Sequence, residues 1–186
     1  LDLWRGTISS RFKLDENSVS VTTVCAPDSD TIGVRIESPL VRQGALRVRL
    51  AFPRGHDLTV KNTPPLDWSH PESHTSQLVE RVFSGGALIR RKIDATRYAV
   101  ILSVPAKRTG PHSFSLTGKS NVLEFTIQFL PGDRSLPSAP RKFAQVFSGS
   151  ADHWKKFWSS GAAVDFSGST NPLARKLEKR IVLSQY

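Results

Sequence analysis

The stretch VSVTTVCAPDSDTIGVRIESPL, Val19–Leu40, decides how the chain is read. Val19, Val21 and Thr23 recur at every second position, Pro27-Asp28-Ser29-Asp30 interrupts them, and Ile32, Val34 and Ile36 then alternate with Gly33, Arg35 and Glu37. Successive side chains of an extended backbone point to opposite faces, so each half of the stretch can bury one face and wet the other. A Pro/Asp/Ser turn between two such halves is the mark of neighbouring strands.

The same period spreads outward. Upstream, Trp4, Gly6, Ile8, Ser10 and Phe12 alternate with Arg5, Thr7, Ser9, Arg11 and Lys13, and Leu14–Asn17 turns the chain at hairpin spacing. Downstream, Arg42-Gln43-Gly44 turns it again before Leu46, Val48, Leu50 and Phe52, with Arg47 and Arg49 between them. Further strands are predicted over 77–83, 87–93, 97–104, 112–116 and 122–130. About nine short strands with no helix between them predict a mainly β chain, an antiparallel β-sandwich over residues 1–140. Residues 53–75, with Pro53, Pro64, Pro65 and Pro71, form a long loop, the kind of segment where function collects.

After Pro137 and Pro140 the period lengthens. Phe143, Phe147, Trp154, Phe157 and Trp158 fall at three- and four-residue steps, which predicts a linker helix region over 141–160. Within 161–186 a short extended piece, Val164–Phe166, precedes a helix that Thr170 or Asn171 caps and Pro172 opens, with Leu173, Leu177, Ile181 and Val182 along one side. The chain starts in a strand-like pattern at Leu1, and its last helical pattern meets no stop signal before Tyr186. It is therefore expected to be a piece of something longer.

Composition narrows the classes. The 186 residues carry Lys+Arg 26 against Asp+Glu 16, a formal charge of +10, and one cysteine. A disulfide framework is excluded within the chain, and no run of about 18 apolar residues exists to span a membrane as a helix. There is no signal-peptide pattern at Leu1, and the composition leaves the compartment undecided. The basic balance invites nucleic acid. Yet Arg35, Arg47, Arg49, Arg81 and Arg97 lie on separate strands at alternating positions, as the wet face of a sheet requires, and only Arg90-Arg91-Lys92 and the last helix are dense. Neither a nucleic-acid nor a membrane partner is expected.

Few residues carry chemistry. Asp28, Asp30 and Glu37 sit in turns or on strand faces, without the apolar pocket a catalytic acid needs. Thr117-Gly118-Lys119-Ser120 lacks the upstream glycine and the following helix of a phosphate loop. Cys25 falls in a strand pattern, which predicts a buried inert thiol. His70, Glu72 and His74 would face one way in an extended chain, but Pro71 disrupts the geometry and no further ligand lies near in sequence, so no metal and no cofactor is expected. Trp68 has two readings: its flat indole stacks on a sugar ring, with His70 and His74 beside it as substrate contacts, or it pins the loop to the sheet, as large aromatics more often do.

The stretch HWKKFWSSGAAVDFSGSTNPLARKLEKRIVLSQY, His153–Tyr186, resembles the junction of the six-hairpin glycosidase group, which includes disaccharide phosphorylases and glycoside hydrolases. LWRGTISSRFKLD, Leu3–Asp15, and Val19–Leu40 are similar to the sandwich part of the same group. The resemblance implies an N-terminal sandwich, a Trp-bearing linker helix and the first helix of an (α/α)6 barrel. It implies that Trp154, Phe157, Trp158 and Leu177 form an interface with that barrel. It places the catalytic carboxylates beyond Tyr186, so no catalytic residue falls on this chain and an oligo- or disaccharide is the implied substrate. A free-standing lectin-like module and a basic nucleic-acid-binding sandwich are the rivals.

Overall fold

Tight turns fold the chain into antiparallel hairpins, and the first shows how. Asp15 and Glu16 both take positive φ, 45° and 62°, so the two-residue turn has the twist that flanking strands require, and Leu14 pairs directly with Asn17. The computed structural model describes residues 1–55, 66–79 and 82–185. Among them the strands are β1 (Thr7–Leu14), β2 (Asn17–Cys25), β3 (Thr31–Glu37), β4 (Val48–Ala51), β5 (Arg54–Gly55), β6 (Leu66–Asp67), β7 (His74–Val79), β8 (Ala87–Ile93), β9 (Thr96–Leu102), β10 (Lys107–Gly110), β11 (Ser113–Leu116) and β12 (Val122–Pro131). The helices are α1 (Pro39–Arg42), α2 (Phe143–Phe157) and α3 (Ala174–Gln185). Pro64, Pro65, Arg81 and Tyr186, and the part of the predicted 77–83 strand at 80 and 81, lie outside the described residues.

The chain is mainly β, built on an antiparallel sheet, with a helix at its C-terminal end. Seven strands lie in the order β1-β2-β3-β12-β9-β8-β7, three in the order β10-β11-β4, and β5 and β6 make a short ribbon. One core joins the larger sheet to the smaller. Val19, Ile36, Ile89, Val100, Leu102, Leu123 and Phe125 come from the first, and Phe114 and Leu116 from β11, with half-buried Val48 and Leu50 of β4 packed against them. Each such side chain contributes roughly 1.5 to 3 kcal/mol on leaving water.

The opposite face of the large sheet is covered differently. Near β2 and β3, Phe143 and Val146 of α2 pack on Val24. Near β8 and β9, Leu136 and its neighbours lie over Leu88, Ala99 and Ile101. Arg141, two residues before α2, forks onto both oxygens of Asp28 at 2.5 and 2.6 Å, so the β2–β3 turn and the helix start are tied together. At its far end α2 docks on the N-terminal turn. The Trp158 indole donates to the Leu3 carbonyl at 2.8 Å, and the Ser150 hydroxyl donates to that of Arg5 at 3.1 Å. Gly6 takes φ +61°, and a Cβ there would lie 2.2 Å from Trp154 Cδ1, so only glycine fits beneath that ring.

Several expectations need correction. The strand predicted from Trp4 begins at Thr7, because residues 3–5 turn instead. Its apolar face is uncovered: Ile8 and Phe12 are 53% and 50% exposed, since the core shared with the small sheet takes in Val19 of β2 but reaches neither β1 nor the far end of β2. For the same reason Cys25, at the end of β2, is exposed rather than buried. Val164–Phe166 joins no sheet. Serine-capped α1 went unread because it is one turn long. A helix, α2, forms within 141–160, and a kink at Gly161 ends the helical run. The last helix is capped as read, with the Asn171 side chain accepting from the Leu173 N–H at 2.9 Å. Leu177, however, is 52% exposed.

These placements separate the two C-terminal helices by measurement. Trp158→Ala should cost about 3 to 5 kcal/mol in chemical denaturation, because it removes a buried ring and its hydrogen bond. Leu177→Ala, on a face that touches little, should change stability by less than about 0.5 kcal/mol.

Candidate functional site

A cleft of about 220 Å³ opens where the end of β4, the β5–β6 ribbon and the turn before β11 meet. Arg49, Phe52, Asp67, Trp68, His74 and His112 line it, with prolines 53, 71 and 111 at its edges. Behind its lining, period-two alternation puts Ala87, Ile89 and Arg91 on one face of β8, so Arg91 points inward, is 2% exposed and bonds to His74, His112 and Pro53 of the cleft.

Dipoles and rings surround this buried guanidinium. Arg91 Nη1 lies 2.6 Å from Ser76 Oγ and 2.8 Å from His74 Nδ1, Nε donates to the Tyr98 hydroxyl at 3.1 Å, and the carbonyls of Thr75 and Pro53 complete the shell. Phe52 and Tyr98 present their ring faces to it at 5.0 and 5.7 Å. Among the described residues no carboxylate pairs with it.

Hydrogen-bond roles follow from the donors. Arginine only donates, so His74 Nδ1 accepts and the ring is neutral with its proton on Nε2. The Pro71 carbonyl only accepts, so His112 Nε2 donates to it at 2.7 Å. Ser76 Oγ then lies 2.7 Å from His112 Nδ1. The two imidazoles stack with centroids 3.7 Å apart, and burial, then the charges of His112 and Arg91, push the His74 pKa down to about 4. At the rim, Asp67 accepts from the Ser69 amide and hydroxyl at 2.8 and 2.7 Å and lies 2.7 Å from His70 Nδ1. These bonds hold the Asp67 carboxyl well below its usual range and raise His70.

Of the residues predicted from sequence, Trp68 and His74 reach this cleft, and His70 turns aside to Asp67. Trp68 is 58% exposed, so it does not pin the loop to the sheet. His74 is buried with Nδ1 engaged, which makes it floor rather than free contact. The extended arrangement of His70, Glu72 and His74 does not occur, because Pro71–Ser73 winds into a single 3-10 turn. Among the described residues no group of three metal-ligating side chains forms. Trp154, Phe157 and Trp158 do cluster, with ring centroids 4.9 to 6.1 Å apart, but against the chain's own N-terminal turn. Leu177 stands apart on α3.

Arg91, His112 and Asp67 went unread in the sequence. The signal for Arg91 was present, since it continues the face of Ala87 and Ile89; His112 and Asp67 carry no local mark. A scan against protein-family models finds no match for the chain, and neither does a search of curated proteins.

Neutral His74 gives a pH signature. Its pKa in the fold lies below its ordinary value, so the unfolded chain binds more protons between about pH 6.5 and about pH 4, and stability should fall as pH drops through that window. His74→Gln should flatten that part of the denaturation-midpoint curve. Arg91→Met should cost about 2 to 4 kcal/mol, because it strands His74, Ser76 and Tyr98 without their donor.

Proposed function

We propose that the chain is the non-catalytic N-terminal part of a carbohydrate-active enzyme, a glycoside hydrolase or phosphorylase of the six-hairpin type. In this reading the two packed sheets over residues 1–140 are its sandwich, 141–160 its linker, and 161–186 the approach to an (α/α)6 barrel. The observation that carries the proposal is a pair of uncovered apolar surfaces. Ile8, Phe12 and Ile32 are exposed on the sheet face that elsewhere forms the core. Leu173, just before α3, and Leu177, one turn on along the same side of it, are exposed. Large apolar side chains grouped in this way mark a surface that another body covers, and a helical barrel in the same polypeptide supplies one.

The cleft fits a supporting role. Among the described residues that line it Asp67 is the one acid, whereas glycosidic cleavage uses a pair of carboxylates about 5 to 9 Å apart. Cleavage is therefore assigned to the barrel, and the cleft to holding sugar. Trp68 offers an open indole face and Arg49 a hydrogen-bonding edge. A free-standing carbohydrate-binding module draws on the same Trp68 but leaves the two apolar surfaces unexplained.

Two measurements test this. Titration with neutral oligosaccharides followed by amide NMR should move the signals of Trp68 and its neighbours, and Trp68→Ala should abolish the shifts while leaving the melting curve in place. Sequencing the coding region that follows the Tyr186 codon should reveal a helical barrel with paired carboxylates. An unrelated domain or an immediate stop there would refute the enzyme reading.

A further inference from the structure

A second groove, of about 360 Å³, lies on the outward face of β7, β8 and β9; Arg90, Lys92, Arg97 and Arg134 line it with Thr75 and Gln77, and Arg91 borders it although its guanidinium is bonded to His74 and Ser76. No carboxylate lines it, and none of the four cations takes part in an ion pair among the described residues. Asp94, in the turn joining β8 to β9, is bonded to Arg54 at 3.0 Å.

The arrangement is built by the fold. Alternation along β8 sends Arg91 inward and its two neighbours outward, so the dense basic triplet divides between two sites on opposite faces of the sheet. Lys92 pairs directly with Arg97 across the strands, and like charges facing each other destabilise a sheet. A turn then adds another cation. Gly132 donates to the Arg97 carbonyl at 2.9 Å, and a Cβ at position 132 would come within 2.7 Å of that oxygen, so the absence of a side chain lets the turn sit on β9. Arg134 donates its own amide to Pro131 at 3.1 Å, and its side chain reaches the groove.

We propose that this groove binds an acidic polysaccharide through its sulfate or carboxylate groups. Directly opposite residues stand about 5 Å apart and next-but-one residues on a strand about 7 Å apart. Those intervals match anionic substituents on one sugar ring or on adjacent rings. Binding the anions would relieve the repulsion that the free protein carries between Lys92 and Arg97. Nucleic acid is less well served. Tyr98, which borders the groove, stands opposite Arg91 across the strands and its half-buried ring is engaged by Arg91 and Phe129, so it is no platform for stacking a base. The described residues that line it belong to β7, β8, β9, the end of β12 and the stretch after it, and none of them belongs to a helix that could enter a duplex groove. The choice of a saccharide rests on the carbohydrate reading above, whereas the cation cluster does not.

The test is calorimetric titration of the whole chain with heparin at physiological ionic strength. Binding is expected to weaken with added salt, and Lys92→Ser with Arg97→Ser should lower affinity by about tenfold or more. Arg134→Ser, a change outside the strands, should weaken it in the same direction. Arg11→Ser with Lys13→Ser removes equal charge from β1 and should leave affinity unchanged, while the Lys92/Arg97 variant should melt no lower than the parent protein. Equal weakening by the β1 pair, no heparin binding, or tighter binding of a DNA duplex through the same residues would overturn the proposal. Heparin binding without any response to neutral oligosaccharides would keep this site and refute the Trp68 reading alone.

Discussion

Strand β12 lies in the middle of a seven-stranded sheet and must bury both of its faces, and the arrangement of everything else follows from that requirement. Leu123 and Phe125 are 4% and 2% exposed on one side, and they need the small sheet of β10, β11 and β4 above them. On the other side Thr126 is 1% exposed and donates its hydroxyl to the Arg141 carbonyl at 2.7 Å. A buried hydroxyl without a partner is costly. The bond therefore fixes where the chain passes before α2 starts, and with it where Phe143 and Val146 meet the sheet.

Covering is uneven, and the unevenness places the functional surfaces. The small sheet reaches over the middle of the large one and stops short of β1, which leaves Ile8 and Phe12 facing water. At the other end, β7 and β8 are covered on the inner face by the β5–β6 ribbon and the turn before β11, and the join is imperfect. The cleft beneath Trp68 is that join, and Arg91 is the side chain that holds its His74, His112 and Pro53 from behind. A guanidinium suits the place because it gathers donors in one plane and stacks on rings at once. Removing a cation from water without a carboxylate beside it is unfavourable. Six hydrogen-bonding partners and two aromatic faces offset that cost here.

Charge then takes on two meanings along three consecutive residues. Arg90 and Lys92 present their charges to the outward groove, while the Arg91 guanidinium is buried and bonded to His74 and Ser76 on the inward side. A count of basic residues, or of their density in sequence, treats the triplet as one patch. The pleat of the strand separates it.

The sequence by itself determined what depends on period and on local turn chemistry. Alternation in Val19–Leu40 and in Val122–Leu130 is a property of neighbours along the chain, so the strands, the change to helical spacing after Pro140 and the Asn171 cap were legible. Trp68 could be singled out because a large aromatic in a polar loop is unusual whatever surrounds it. Tertiary structure alone decided which apolar faces are covered, because alternation says that a face can be buried and not that anything lies over it; Ile8, Phe12 and Cys25 show the difference. It also decided the company of Arg91. His74, Ser76 and His112 reach it from strands and turns that are distant in sequence, and register across the sheet, not spacing along the chain, brings their nitrogens and oxygens within hydrogen-bond reach.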